Sequence, residues 1–124
     1  FIRGNESAKI STEVGNFILG ENRIPDTVIG TVISIILNSN MTDRTKPIFG
    51  FADTENGKVK VSARASDDVK IDLGKLVRQV ATAVGGEGGG HQRACGAFIP
   101  KGKEQEFIHS INSLLGEMIG SKEV

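Results

Sequence analysis

A chain of 124 residues with 38% hydrophobic and 24% charged residues is long enough for one domain with a buried core. Its 15 basic and 15 acidic residues cancel, which excludes an overall field that attracts nucleic acid, so any polyanion must bind to a local patch. A single cysteine excludes an internal disulfide and is typical of a reducing compartment, and no apolar run reaches the roughly 18 residues of a membrane span. We therefore expect a cytoplasmic protein with no membrane partner.

The first 13 residues are polar and weakly patterned, and we interpret residues 1–13 as a linker or lead-in from missing sequence. The chain begins with Phe and not with Met, which favours a fragment of a longer protein. The domain itself is expected to span residues 14–124.

The domain is predicted to open with a strand followed by a buried helix. Residues 14–20 predict a short strand. After Pro25 the apolar residues recur at helical spacing, which predicts a helix whose N-cap is Asp26 or Thr27.

A hairpin is predicted next, because Asn56-Gly57 stands between two strand-like runs, 48–52 and 58–64. The second run alternates, with Val59, Val61 and Ala63 on one face and Lys58, Lys60, Ser62 and Arg64 on the other. A solvated strand face is the commonest explanation of such a pattern. Three of the four polar residues are basic, however, so Ser62 and Arg64 are also candidates for a phosphate-binding surface.

The second half predicts two helices and a strand around a glycine-rich loop. Asp72 is expected to cap an amphipathic helix that Gly85 ends. Residues 94–99 predict a small-residue apolar strand that stops at Pro100, and a last amphipathic helix follows. Helices interleaved with strands predict a single α/β domain, in which a mixed β-sheet is flanked by helices.

The glycine-rich stretch 85–97 has the clearest functional potential. Gly88, Gly89 and Gly90 permit close backbone approach, and their successive N–H groups can form an anion-binding concavity. His91 and Arg93 follow directly and can donate to phosphate, although each could instead have a purely structural role. The alternative is a flexible linker, and the apolar strand that follows argues against it.

The remaining reactive side chains are interpreted as structural. Cys95 lies between small apolar residues, which indicates a buried thiol and not a nucleophile. His109 lies off the apolar stripe of the last helix and is expected at the surface. Two histidines and one cysteine do not suffice for a zinc site of the usual kind.

Residues 88–97, Gly-Gly-Gly-His-Gln-Arg-Ala-Cys-Gly-Ala, resemble a known signature. It consists of Gly-Gly-His, two variable residues, Ala, one variable residue and Gly-Ala, and it is typical of the DHH-associated C-terminal domain. Residues 29–34, 46–52 and 61–64 resemble the first helix, the next strand and the arginine-bearing strand of that domain. The resemblance covers about residues 26–119, and the archaeal RecJ-like branch is the most similar.

This resemblance implies a division of labour with a missing N-terminal DHH domain, which would hold manganese and hydrolyse the substrate. The present domain would bind single-stranded DNA or RNA, oligonucleotides or nucleotide phosphoesters. Gly88, Gly89, Gly90 and His91 would contact phosphate, and Arg64 would hold the nucleotide. Arg93 falls at a variable position of the motif. Its role in phosphate binding, like that of Ser62, is therefore predicted from the residue types alone and not from the resemblance. The chain alone is expected to bind without cleaving, with no catalytic residue, metal or cofactor of its own.

Two other functions remain open. The chain could be the C-terminal glycine-rich domain of an alanyl-tRNA synthetase. It could also be a scaffold domain of an inactive RecJ-like replication protein.

Overall fold

The structure is a computed structural model that describes residues 8–12, 15–39 and 42–123. In chain order its elements are β1 (Ala8–Ser11), β2 (Asn16–Glu21), α1 (Ile29–Leu37), β3 (Ile48–Asp53), β4 (Lys58–Arg64), α2 (Leu73–Ala83), β5 (Glu87–Gly90), β6 (Ala94–Pro100) and α3 (Glu104–Glu123). The strands form one sheet in the order β1-β2-β3-β4-β6-β5. Strands β2 and β3 run parallel, and the other neighbouring pairs are antiparallel. The predicted α/β domain with a mixed sheet is confirmed.

Strand β1 lies within segment 1–13, where the sequence indicated no regular element. It pairs antiparallel with β2 and so forms one edge of the sheet. Residues 1–7 and 13 lie outside the described part, and the interpretation of 1–13 as a lead-in to a preceding domain stays a prediction. The strand predicted at 14–20 is β2, which begins at Asn16.

One face of the sheet carries the main core under α2 and α3. Phe17 stacks on Phe49, and the ring of Phe107 meets Phe49 and Phe51 edge-on at centroid distances of 6.4 and 5.7 Å. Alternation along β4 sends its apolar residues, Val59, Val61 and Ala63, into this core as predicted.

Helix α1 covers part of the opposite face through a smaller cluster that includes Ile29, Ile33 and Ile48. It approaches closely because Gly50 of β3 has no side chain. A Cβ added there would lie 2.7 Å from Ile33 Cγ2 and 2.8 Å from Ile29 Cγ1. Helix α1 packs on β3 and β4, so β6 and β5 extend beyond its edge on this face.

The starts of the helices test the capping predictions. Asp72 caps α2 as predicted, because its side chain accepts a hydrogen bond from the Lys75 N–H at 3.1 Å. The helix predicted after Pro25 is present as α1, but its predicted N-cap, Asp26 or Thr27, was wrong. Its N-cap is Val28, which makes no side-chain capping bond, and a turn at Pro25, whose carbonyl accepts from the Val28 N–H, leads into the helix instead.

None of the helices in the described part combines the length and the apolar character that crossing a bilayer requires.

Candidate functional site

The glycine-rich stretch forms a hairpin and not the predicted loop. Gly88 pairs with Ala97, Gly89 with Gly96 and Gly90 with Cys95, so that β5 completes the sheet. Gly89 and Gly90 have φ angles of +148° and +139°, which L-residues with side chains rarely adopt. The close backbone approach that the glycines predicted is therefore present, within a strand.

This hairpin is held against the start of α2. The Leu73 N–H donates to the Gln92 carbonyl at 3.0 Å, and a Cβ added at Gly74 would collide with the Gly90 carbonyl. Two backbones thus touch where Gly74 meets Gly90. The turn of the hairpin is positioned by main-chain contact, which leaves no room for a side chain between them.

The glycines of β5 leave the other side of the hairpin bare. An added Cβ would meet the Ala97 Cβ from Gly88, the Cys95 Cβ from Gly90 and the Arg78 guanidinium from Gly89. The contacts of Gly88 and Gly90 lie on the main-core side of the sheet, because Ala97 and Cys95 belong to that core, and Arg78 is an exposed residue of α2. The face that α1 leaves uncovered therefore presents backbone here.

Arg64, at the end of β4, is positioned by three hydrogen bonds. Its Nε donates to Ser34 Oγ at 3.2 Å, and its Nη1 donates to the carbonyls of Ala63 and Cys95 at 2.8 and 3.3 Å. Gly30 of α1 makes room for the guanidinium, since a Cβ there would lie 2.8 Å from Nη2. Within the described residues, Nη2 has no acceptor and Arg64 has no carboxylate partner. One edge of the fork is thus held while the other can donate to a ligand.

A pocket of about 330 Å³, here called the Arg64 pocket, opens between α1 and β6. Its floor combines β4 with the bare backbone of Gly96, and the described residues that line it supply two cations and no carboxylate. Ser62, only 3% exposed, lies at the bottom. The principal lining residues are Gly30, Thr31, Lys60, Ser62, Arg64 and Gly96.

His91 and Arg93 occupy different positions relative to this pocket. The His91 N–H donates to the carbonyl of Ala94, which lines the Arg64 pocket, and the His91 side chain is exposed. Arg93 instead forms an ion pair, with its Nε 3.1 Å from Asp67 Oδ1. The structure therefore places Ser62 and Arg64 together in the pocket, whereas the other predicted site residues do not line it: Gly88, Gly89, Gly90, His91 and Arg93.

A second, larger pocket of about 620 Å³ adjoins the first and shares Thr27 with it. We call it the Phe98 pocket, after the aromatic side chain on its floor, which is 43% exposed. Its charged lining residues are Asp26, Glu55, Lys58 and Glu87.

Sequence reasoning missed the contribution of α1 to the site. Gly30, Thr31 and Ser34 were assigned to a buried helix, yet they form one wall of the Arg64 pocket or hold its arginine. A glycine inside an otherwise β-branched helix was the available signal, because such a glycine commonly marks close packing or function.

Cys95 is buried, as predicted. Burial raises the pKa of its thiol to about 11; the charge of Arg64 opposes this rise and that of Asp72 adds to it. The thiol therefore stays protonated at neutral pH and is a poor nucleophile. His109 is exposed, which also agrees with the prediction.

Alkylation of Cys95 should show this protection. At about pH 8 a thiol of pKa near 11 is about 0.1% ionised against about 10% for an unperturbed one, so native protein should react roughly 100-fold more slowly than unfolded protein. Mass spectrometry after timed exposure to iodoacetamide, with and without guanidinium chloride, measures both rates. Equal rates would contradict the buried position.

The described residues contain no group of three His, Cys, Asp or Glu side chains that could hold a metal ion. They do not fit the manganese of a DHH domain, and no metal-dependent step is assigned to this chain.

Comparison with known proteins defines the family. Residues 15–117 match the model of the DHHA1 domain, the DHH-associated domain, and the chain therefore belongs to that family. The resemblance based on the glycine-histidine signature is confirmed.

An uncharacterized protein of Methanocaldococcus jannaschii is 34% identical over 95 residues, which cover 74% of this chain. The match covers 20% of that relative, so the chain spans about a fifth of its length.

Three solved structures share the fold. The C-Ala domain of Aquifex aeolicus alanyl-tRNA synthetase has a TM-score of 0.70 at 12% identity, with 87% of this chain and 97% of that chain covered. A DHH-domain protein described as a member of a family of ribosomal proteins has a TM-score of 0.59 at 20% identity, with 90% and 28% covered. A pGpG-specific phosphodiesterase from Vibrio cholerae has a TM-score of 0.50 at 10% identity, with 88% and 35% covered.

Proposed function

We propose that this chain is the substrate-binding domain of a RecJ-like DHH phosphoesterase that acts on single-stranded nucleic acid or oligonucleotides. Hydrolysis would belong to a manganese-dependent DHH domain in a longer cytoplasmic protein. Membership of the DHHA1 family supports this proposal. The archaeal relative is about five times as long as the matched segment, which supports the expectation of further domains.

The single observation that carries the proposal is the set of contacts that the Arg64 side chain makes and leaves open. Its guanidinium is oriented by Ser34 and two carbonyls, lacks a carboxylate partner among the described residues, and opens into a pocket. An arginine needed only for stability would be expected to pair with an acidic side chain or to extend into solvent. A half-buried fork with a free edge matches the geometry of a phosphate oxygen.

The neighbouring groups extend this anion site. Lys60 adds a second positive charge, and the Ser62 hydroxyl can donate from the floor. Gly96 leaves the pocket floor without a side chain, so a ligand can approach the backbone there. The exposed His91, whose N–H donates to the carbonyl of the pocket-lining Ala94, would add a donor. Together they would hold the phosphate and sugar of a nucleotide without touching base edges, so affinity should depend little on sequence at this position.

Titration of short single-stranded oligonucleotides tests the proposal. The double variant Arg64→Ala, His91→Ala should bind roughly 10- to 100-fold more weakly, because a hydrogen bond to a charged group contributes about 1.5–3 kcal/mol. Lys103→Ala is the matched control, since it removes one positive charge near α3, where Lys103 pairs with Glu106 on the surface. Fluorescence anisotropy of a labelled oligonucleotide gives the dissociation constants.

Salt dependence supplies an independent check. If Lys60 and Arg64 neutralise about two phosphates, the logarithm of the association constant should fall with the logarithm of the salt concentration at a slope of about −1.4. Equal binding by wild type and the double variant would contradict the assignment of these residues.

The second candidate function is that of the C-terminal glycine-rich domain of an alanyl-tRNA synthetase, since the chain matches the C-Ala domain of such an enzyme over 97% of that domain's length. At 12% identity this likeness shows the fold alone. Competition between a tRNA and a single-stranded oligonucleotide of equal length distinguishes the two functions. Preference for the tRNA would favour a synthetase-like role.

A further inference from the structure

The exposed position of Phe98 is unusual for this molecule. The other phenylalanines described, including Phe17, Phe49, Phe51 and Phe107, are fully or almost fully buried, whereas Phe98 is 43% exposed on the floor of a pocket of about 620 Å³. Isolated exposed apolar residues are common on protein surfaces. An exposed aromatic ring inside a large pocket that joins a basic pocket is a more specific arrangement.

Strand register places Phe98 on the same face as Arg64. Phe98 pairs with Lys60, and Ala94 pairs with Arg64, within the antiparallel β4–β6 ladder. Paired residues of such a ladder share a face, and so do residues two or four apart along one strand. Four residues of strand correspond to about 13 Å. The backbones of Phe98 and Arg64 therefore lie about 13 Å apart along one face of the sheet, and their side chains border two adjoining pockets that form one groove.

The two ends of this groove differ in charge. The Arg64 pocket is lined by Lys60 and Arg64, without a carboxylate among its described residues. The Phe98 pocket is lined by Asp26, Glu55 and Glu87 against one cation. A phosphate is attracted to the first end and repelled from the second, where hydrogen-bond acceptors surround an aromatic surface.

We propose that the Phe98 pocket is a second nucleotide subsite, in which a nucleobase stacks on the Phe98 ring while the phosphate of the preceding nucleotide binds at Arg64. The inference rests on the proposed function and specifies its substrate as at least a dinucleotide. The carboxylates at this end accept hydrogen bonds from exocyclic amino groups, which adenine, cytosine and guanine have and thymine lacks. Glu87 is the nearest of them in register, since it pairs with Phe98 across β5 and β6.

A series of small probes isolates the subsite. The probes are a 5′-phosphorylated deoxyadenosine dinucleotide, the same molecule with an abasic second residue, and deoxyadenosine monophosphate. Wild type should bind the intact dinucleotide roughly 5- to 100-fold more tightly than the abasic one, because stacking on an aromatic side chain contributes that much per base. Phe98→Ala should remove this difference and leave the affinities for the abasic probe and the monophosphate unchanged.

Phe98→Trp provides a rescue and a direct signal. The chain has no Trp and no Tyr, so the new indole would be its dominant fluorophore. The intact dinucleotide should quench this fluorescence and should again bind more tightly than the abasic probe. The abasic probe should leave the fluorescence unchanged. Replacing the second adenine by thymine should cost wild type roughly 5-fold in affinity, and Glu87→Ala should reduce that preference.

Different failures overturn different claims. Equal binding of the intact and abasic dinucleotides by wild type, or an undiminished difference in Phe98→Ala, overturns the subsite. Monophosphate binding that is unaffected by Arg64→Ala, or an absence of binding by all three probes, overturns the proposed function and the subsite with it.

Discussion

Replacing Gly74 by alanine is expected to destabilise the protein by about 1–3 kcal/mol, because the added methyl group has no space at the start of α2. The position it would occupy is already taken by the Gly90 carbonyl, and the His91 carbonyl oxygen lies 3.0 Å away. Both obstacles are backbone atoms, which cannot rotate aside as a long side chain can. The hairpin that carries the glycine-histidine signature must therefore shift.

Gly116→Ala is the matched control, because Gly116 also lies in a helix and a Cβ there would meet nothing within 4 Å. This change should stabilise the protein by about 0.5–1 kcal/mol through helix propensity. Urea unfolding followed by far-ultraviolet circular dichroism measures both effects. Similar stability of the two variants would contradict the contact between Gly74 and Gly90.

Phe107→Ala is expected to cost about 3–5 kcal/mol, the usual result of removing a fully buried aromatic ring. Phe107 has no exposed surface and joins α3 to the sheet through its edge-on contacts with Phe49 and Phe51. A small domain is stable by only about 5–15 kcal/mol, so this variant should unfold at a much lower urea concentration.

Phe98→Ala is the matched control, since the same substitution removes a phenyl ring from an exposed position. Its stability should change by less than about 1 kcal/mol. A large loss of stability in Phe98→Ala together with a small loss in Phe107→Ala would contradict the placement of Phe107 in the core and Phe98 on the surface. The expected result also establishes that the Phe98→Ala variant is folded when its binding is measured.

Local patterns predicted the elements whose signals lie in a few neighbouring residues. Asn56-Gly57 predicted the β3–β4 hairpin, where Gly57 has a φ of +75°, and Asp72 predicted the start of α2. The alternation along β4 separated Val61, which is buried, from Arg64, which opens into the groove. In these cases the types of a few neighbouring side chains indicate the local backbone conformation.

The elements that were missed or wrongly predicted have no such local pattern of side chains. Glycines carry no side chain, so β5 shows no alternation, and its strand geometry depends on pairing with β6. The insertion of β6 between β4 and β5 is likewise a long-range choice that periodicity does not encode. This choice brings Ser62 and Arg64 next to Gly96 and creates the pocket. The residue types of the site could therefore be predicted from the sequence, whereas its walls could not.

The irregular backbone of β5 also affects how the molecule behaves in solution. This strand is the last in the sheet, and an outer strand with free N–H and C=O groups can recruit a strand from another molecule. The positive φ angles of Gly89 and Gly90 depart from the flat, extended form that such recruitment requires. Residues with branched side chains at these positions would favour negative φ and straighten the strand. We therefore expect Gly89 and Gly90 to weaken edge-to-edge pairing of β5 with another molecule.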